Sequence, residues 1–309
     1  MGNQFLDDLR QADVLIQVVD IAGTTNEKGE VVERGSYDPL NDVAFLEEEL
    51  DLWYLGILKK GWEKFARTVV QEKQDIHLAL SKQLSGLQVT EDLVKEAVVK
   101  LKLDKDKSSV WTGEELRELA TFLRRKTKPM LIACNKIDLP GAGENLKRLR
   151  EKFPDSLAVG CSGDSELALR EAARLGLISY VPGDTDFEMV HKEKLNEGQL
   201  NALNFIRSTV LQRFNGTGVQ QALDGAVFQL LEYMAIYPGG VTKLEDKEGN
   251  VLPDCFLLPP HSTALDFAYK LHTDLGKNFI RAIDVMTKRT VGKEHLLKHR
   301  EVMEIVAGR

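Results

Sequence analysis

Three short aliphatic segments, each followed by polar or glycine residues, constrain the fold of this 309-residue chain most strongly. Residues 14–19, 129–134 and 157–161 are almost continuously apolar, as expected of strands that are buried on both faces of a parallel sheet. Residues 144–153 and 166–175 follow the second and third segments and predict helices. Because strands and helices alternate in this way, the sequence predicts an α/β fold with a parallel sheet.

Between the first and second strands the character of the sequence changes twice. Residues 21–44 are rich in glycine, aspartate and asparagine and predict a loop. Residues 45–128 have apolar side chains at helical spacing and nearly balanced charges, so we interpret them as a solvated helical insertion, such as an antiparallel pair. A capping box at Thr112-Gly113-Glu114-Glu115 should start one helix, and the run Arg124-Arg125-Lys126 fits the dipole at a helix end.

The last part of the chain has a third character and predicts a small α+β module. One helix at 264–272, capped by Ser262 or Thr263, is surrounded by short strand candidates, and residues 246–250 suit a hairpin turn. The strand candidates are residues 241–244, 255–258, 279–283 and 302–306.

Composition excludes several classes of protein. No stretch approaches the roughly 18 apolar residues of a membrane span, so we expect no membrane partner. The cysteines, Cys134, Cys161 and Cys255, lie far apart in apolar settings, which favours buried, reduced thiols in the cytoplasm. A net charge of −7 argues against non-specific coating of nucleic acid.

The segment Asn135-Lys136-Ile137-Asp138 follows directly on the second strand, at the sheet edge where ligands bind in open α/β folds. The Asp138 carboxylate can accept hydrogen bonds from N1–H and the exocyclic amine of guanine, two donors that adenine lacks on that edge. Asn135 can bridge the base and a neighbouring loop, and the stem of Lys136 can cover the base. The alternative is a loop that only caps a helix.

A second segment supports the same pocket. Cys161-Ser162-Gly163 ends the third strand, where guanine-nucleotide proteins usually present a Ser-Ala-type loop whose backbone N–H contacts O6 of guanine. Gly163 replaces the commoner alanine, but the backbone donor is unaffected. We therefore add Ser162 and Gly163 to Asn135, Lys136 and Asp138 as predicted guanine-binding residues.

Other phosphate-related patterns are weaker. Asp20-Ile21-Ala22-Gly23 fits the Asp-x-x-Gly pattern that senses magnesium and the γ-phosphate. Because a loop follows it instead of a helix and no strand precedes Val14, we favour a strand-ending acid followed by a turn glycine. The sequence contains no Gly-x-x-x-x-Gly-Lys-Ser/Thr. The glycine-rich stretches Gly141-Ala142-Gly143 and Gly216-Thr217-Gly218 lack its lysine–hydroxyl pair, and we interpret them as turns or helix starts.

Taken together, the motifs resemble those of Obg-like GTPases of the YchF type. Residues 2–13 are similar to the switch helix of that family, and residues 135–140, 165–170 and 180–184 match it as well. Residues 262–276 resemble a TGS domain, which is a ubiquitin-like β-grasp module. The resemblance covers essentially the whole chain.

This resemblance implies an α/β fold with a partial P-loop-GTPase-type parallel sheet, a helical insertion and a small β-grasp TGS domain. The implied bounds are 1–44 and 129–236 for a partial guanine-nucleotide-binding domain, 45–128 for the insertion and 237–309 for the TGS domain. Many bacterial and eukaryotic members alter the base-reading motif and prefer ATP. Because Lys136 and Asp138 are both present here, the resemblance implies GTP or GDP, as in archaeal members.

The family pattern also sets expectations about activity. Its phosphate loop, first switch and true Asp-x-x-Gly should lie before Met1, so the chain looks truncated and we expect no GTP hydrolysis from it alone. Mg²⁺ is expected in the full-length parent, and we identify no ligands for it in this sequence.

The family further implies a nucleotide switch linked to translation or ribosomes. The alternative is a non-catalytic module that binds RNA or the ribosome through the TGS domain. Residues 277–300 carry seven Lys or Arg against two Asp or Glu, which predicts either an RNA-facing side or an ordinary solvated hairpin. We interpret His295 and His299 as surface residues.

Overall fold

A computed structural model describes residues 9–245, 249–252 and 254–308 of the chain. Residue contacts divide it into two compact units, 1–226 and 227–309. Most of the switch-like segment 2–13 and residues 246–248 of the predicted hairpin turn lie outside the described residues. In the described part, no helix is both long and apolar enough to cross a bilayer.

The first unit contains a parallel sheet, a helical insertion and a set of shorter helices. In chain order its elements are β1 (Leu15–Asp20), α1 (Leu40–Lys59), α2 (Trp62–Gln71), α3 (Ile76–Gln83), α4 (Glu91–Lys100), α5 (Gly113–Thr127), β2 (Met130–Asn135), α6 (Ala142–Lys152), β3 (Leu157–Gly160), α7 (Gly163–Arg174), β4 (Ile178–Ser179), β5 (Glu188–Met189), α8 (Glu197–Ile206), α9 (Gln212–Phe214) and α10 (Val219–Asp224). A π-helical segment, Arg207–Leu211, joins α8 to α9.

The three predicted strands form one parallel sheet in the order β1-β2-β3, which confirms the α/β prediction. The central strand β2 is buried from Met130 to Cys134 and has a hydrogen-bonded neighbour on each side. Asp20 at the end of β1 pairs in register with Asn135 at the end of β2. The carboxyl ends of the strands therefore bring the predicted site residues to one edge.

The insertion contains more helices than the antiparallel pair that the sequence predicted, so that prediction was wrong. It consists of the five helices α1 to α5 around their own core, in which Trp62 and Trp111 stack with ring centroids 5.6 Å apart. Helix α1 begins at Leu40, inside the predicted loop, because the Asp38 side chain accepts the Leu40 N–H at 3.1 Å. The predicted capping box of Thr112 is present.

The second unit is a five-stranded mixed sheet with a helix packed on it. Its elements are β6 (Met234–Pro238), β7 (Phe256–Leu258), α11 (Ala264–Leu271), α12 (Thr273–Lys277), β8 (Phe279–Asp284), β9 (Arg289–Val291) and β10 (Val302–Ala307). The strand order is β7-β6-β10-β8-β9, in which β6 and β10 are parallel and the other pairs antiparallel. Thr263, one of the two predicted caps, forms a capping box with Asp266.

One predicted strand of this unit is misplaced. The strand lies at Met234–Pro238, and residues 241–244 are irregular. The reason is burial: Ala235 and Ile236 fill the core, whereas Leu244 remains 37% exposed. The predicted boundary at residue 237 thus falls inside β6, while the predicted strands at 255–258, 279–283 and 302–306 are confirmed within two residues.

Candidate functional site

The loop after β2 is held between the two neighbouring strands. The backbone N–H of Ile21 donates to the carbonyl of Asn135 at 3.0 Å, and the N–H of Ile137 donates to the carbonyl of Cys161 at 3.0 Å. Lys136 adopts a left-handed conformation with φ 64°, which turns the chain sharply at this point. The motif Asn135-Lys136-Ile137-Asp138 is therefore a fixed turn at the carboxyl edge of the sheet.

Two predicted site residues contact each other directly. The side-chain oxygen Oδ1 of Asn135 accepts a hydrogen bond from the backbone N–H of Gly163 at 2.9 Å. Gly163 is the first residue of α7, and Ser162 is its N-cap residue. Asn135 thus bridges the loops that follow β2 and β3, as the sequence predicted for a neighbouring loop.

The Ser162-Gly163 turn rests on a buried polar network. Its Ser162 N–H donates to the carbonyl of Thr217 at 2.8 Å, and the Thr217 hydroxyl donates to Oε2 of Glu166 at 2.7 Å. Tyr180 and Arg170 also donate to the Glu166 carboxylate, at 2.8 and 2.7 Å. Burial raises the pKa of Glu166, but these three donors outweigh it and lower the pKa below its ordinary value.

Glu166, Thr217 and Tyr180 were not among the predicted site residues. Glu166 and Tyr180 lie in the segments 165–170 and 180–184 that carry the family resemblance, so a signal for them was present. Thr217 lies in the glycine-rich stretch Gly216-Thr217-Gly218, for which the sequence predicted a turn or helix start. Helix α10 begins directly after this stretch. These residues hold the Ser162-Gly163 turn in place through the hydrogen bond from Ser162 to Thr217.

Asp20 binds Lys136 from the end of β1. Its Oδ2 accepts a hydrogen bond from Nζ of Lys136 at 2.9 Å, and the same ammonium donates to Oγ1 of Thr24 at 2.9 Å. Burial raises the pKa of Asp20, but the hydrogen bonds from Thr24, Lys136 and Thr25 lower it overall. Gly23 follows in a left-handed turn, so Asp20 is a strand-ending acid followed by a turn glycine.

Asp138 differs from Asn135 and Lys136, the other two predicted guanine-binding residues of the motif. It is half-buried, and its carboxylate has no hydrogen-bond or ion-pair partner among the described residues. The side chains of Asn135 and Lys136 are already engaged by Gly163 and Asp20. The Asp138 carboxylate therefore retains acceptor oxygens that a ligand can use.

The cysteines near the site are structural. Burial raises the pKa of Cys134 to about 12 and that of Cys161 to about 11, so both thiols are protonated at neutral pH. Cys255, by contrast, is exposed, which corrects the expectation that all three are buried. In the described residues no group of three or more His, Cys, Asp or Glu side chains could hold a metal ion.

Comparison with known proteins agrees with the fold. Residues 133–240 match the family described as Obg-like GTPase YGR210-like, G4 motif-containing domain, and residues 247–307 match the TGS domain. An uncharacterized GTP-binding protein of Methanocaldococcus jannaschii is 46% identical over 309 residues, which cover 99% of this chain and 76% of that protein.

Two solved structures are also similar. A GTP binding protein from Pyrococcus horikoshii OT3 gives a TM-score of 0.76 at 40% identity, covering 98% of this chain and 81% of that one. The Schizosaccharomyces pombe YchF GTPase gives a TM-score of 0.55 at 15% identity over 99% of this chain and 75% of that one, which supports the fold alone. The chain belongs to the YGR210-like family of Obg-like GTPases and carries a TGS domain.

Proposed function

We propose that this chain binds guanine nucleotides, GTP or GDP, through Asn135, Lys136, Asp138 and the Ser162-Gly163 turn. The observation that carries the proposal is the partnerless Asp138 carboxylate in a turn whose other two polar side chains are fixed. A carboxylate in that state offers two acceptors to the N1–H and amine of guanine. The names of the relatives above, two of which are GTP-binding proteins, support the same ligand.

The donor for guanine O6 comes from the amino-terminal end of α7. Without ligand, the N–H groups of Ser162 and Gly163 already have acceptors in Thr217 and Asn135. No side chain caps this helix end in the described chain, so the next two amides, of Asp164 and Ser165, are available. We infer that O6 shares the Gly163 N–H with Asn135 or takes one of these amides.

Titration with GDP that carries a fluorescent group on its ribose tests the proposal. Wild-type protein should bind, and Asp138→Ala should weaken binding by roughly a hundredfold, since a bidentate charged contact is lost. Asp155→Ala is the matched control, because Asp155 is exposed on the loop before β3. No binding by wild-type protein at millimolar GDP would refute the proposal.

Exchanging the base of the nucleotide, together with a substitution at Asp138, makes the test specific to that residue. In Asp138→Asn the side chain offers a donor where the carboxylate offered acceptors, which suits the C2 carbonyl of xanthine better than the amine of guanine. We expect this variant to lose GDP and to gain xanthosine diphosphate. If both diphosphates bind the variant as they bind wild-type protein, Asp138 does not contact the base.

For the second unit we propose contact with RNA or the ribosome. The supporting observation is that Arg281, Lys288 and Arg289 of the β8–β9 hairpin are all exposed. An electrostatic contact of this kind weakens as salt rises. Replacing these three residues by glutamate should abolish binding to a short RNA at 50 mM salt and leave GDP binding intact; unchanged RNA binding would refute this surface.

A further inference from the structure

We propose that Asp20 is a positioning residue for guanine recognition, which acts by holding the ammonium group of Lys136. The inference rests on the proposed nucleotide binding and gives a role to the Asp-x-x-Gly stretch at the end of β1. The sequence allowed a magnesium sensor there. The geometry points instead to support of the base-reading turn.

Lys136 is held at both of its ends. Its backbone lies in the turn between β1 and β3, and its Nζ donates to Oδ2 of Asp20 and to Oγ1 of Thr24, each at 2.9 Å. The side chain of Lys136 is only 35% exposed, and that of Asp20 is 9% exposed. A lysine that is fixed in this way keeps its aliphatic stem in one orientation, whereas a free lysine loses rotamer freedom when it covers a base.

Asp20 is itself immobilised, which makes it a firm anchor. Its Oδ2 also accepts from the Thr24 hydroxyl at 2.6 Å, the Thr25 hydroxyl at 2.9 Å and the Thr24 N–H at 3.2 Å. Its Oδ1 accepts from the Ala22 N–H at 3.1 Å. The loop 21–25 therefore wraps the carboxylate, and the carboxylate in turn fixes the lysine.

The arrangement also separates charge within the motif. Lys136 forms its ion pair with Asp20, so it does not pair with Asp138, which lies two residues after it. Asn135 is held from the β3 side by Gly163, and Lys136 is held from the β1 side by Asp20. The two anchors together leave Asp138 to the base.

A double-mutant cycle between Asp20 and Lys136 tests the inference in the full chain. Asp20→Asn should weaken GDP binding roughly tenfold, because the negative charge that pairs with the Lys136 ammonium is lost. In a Lys136→Met background the same substitution should have no further effect, since its route through the lysine is gone. Asp155→Asn is the control for removal of a charge, and thermal unfolding shows whether each variant is folded.

The possible outcomes separate this inference from the proposed function. Failure of wild-type protein to bind GDP refutes the proposed function, whereas equal binding by wild-type protein and Asp20→Asn refutes the positioning role alone. The positioning role is also refuted if Asp20→Asn weakens GDP binding as much in the Lys136→Met background as in wild-type protein. Asp20 would then act through the loop 21–25 and not through Lys136. Should Asp20→Asn unfold, Thr24→Val removes one acceptor of Lys136 and should weaken binding roughly threefold; no change would overturn the inference.

The lysine contact has a readout that needs no nucleotide. An ammonium held by a carboxylate and a hydroxyl exchanges its protons slowly enough to give a ¹⁵N-detected lysine signal at low temperature. Such a signal, assigned by its loss in Lys136→Met, should disappear in Asp20→Asn and persist in Asp155→Asn. A signal that survives in Asp20→Asn would show that Asp20 does not hold the lysine.

Discussion

The side-chain oxygen of Asn135 accepts the backbone N–H of Gly163 over 2.9 Å, and this bond joins the loops that follow β2 and β3. Asn135 and Gly163 are 28 residues apart in the sequence, but their loops lie side by side because β2 and β3 are neighbouring strands. Gly163 opens α7, so the bond also fixes the start of that helix. In the proposed guanine site, Asn135 would therefore serve both as a bridge between the two loops and as a ligand of the base.

The first prediction concerns this bridge. Asn135→Ala leaves the Gly163 N–H without its acceptor and should lower the free energy of unfolding by about 1–2 kcal/mol. Asn135→Asp keeps an acceptor oxygen in the same place and should lower it less. Urea denaturation of the two variants measures the difference. Equal stability of Asn135→Ala and wild-type protein would show that the bond contributes nothing.

The second prediction concerns the carboxylate of Glu166 behind the Ser162-Gly163 turn. Its pKa is lowered from 4.5 in the folded protein, so its contribution to stability is present above pH 4.5 and is lost as the pH falls below that value. Glu166→Gln removes this titration and should cost about 1–3 kcal/mol at pH 7.

Unfolding curves between pH 7 and pH 3 check the sign. The difference in stability between wild-type protein and Glu166→Gln should shrink as the pH falls, and a difference that grows would contradict the assignment. Glu171→Gln is the control on the same helix, because Glu171 pairs with Arg174 on the surface and should matter little.

The strands, and the position of Asn135-Lys136-Ile137-Asp138 at the end of one of them, could be predicted from the sequence because each depends on local pattern. Aliphatic runs mark buried strands whatever their partners, and Asp138 follows one of them directly. The contacts that complete the site could not be predicted in this way. Asp20 and Lys136 are 116 residues apart, and Glu166 and Thr217 are 51 apart, so only the sheet order and helix packing bring them together.

Two errors in the predicted elements have local causes. The start of α1 was placed five residues late, because the apolar spacing is weaker there than the turn-forming composition around Asp38-Pro39. The strand predicted at 241–244 lies instead at Met234–Pro238, directly before the glycine pair Gly239-Gly240. In both cases the boundary of the helix or strand depends on which side chains are buried, and this cannot be determined from one sequence alone.

The third prediction concerns Gly218, which packs against the end of β3. It adopts φ 80°, and a Cβ placed there would lie 1.9 Å from the carbonyl oxygen of Gly160. Gly218→Ala should therefore destabilise the protein by about 3 kcal/mol or more, since backbone must move. Gly143→Ala is the opposite case: a helical glycine with open space around it, whose replacement should stabilise by about 0.5–1 kcal/mol. Thermal unfolding should separate the two variants in opposite directions.

The fourth prediction concerns Arg124, for which the helix dipole is an insufficient explanation. Its side chain is 2% exposed and binds Glu47 and Asp51 of α1 at 2.6 and 2.7 Å. A buried cation that loses a partner is costly, so Asp51→Ala should destabilise the insertion by about 3 kcal/mol.

The control for Asp51 is Glu48→Ala, because Glu48 lies on the same helix and only approaches Arg117 at 3.6 Å on the surface. A third variant, Arg124→Met with Glu47→Gln and Asp51→Asn, removes the buried charges together and should recover part of the loss. If Asp51→Ala and Glu48→Ala unfold at the same urea concentration, the ion pairs of Arg124 do not hold α5 against α1. A loss confined to Asp51→Ala shows that they do.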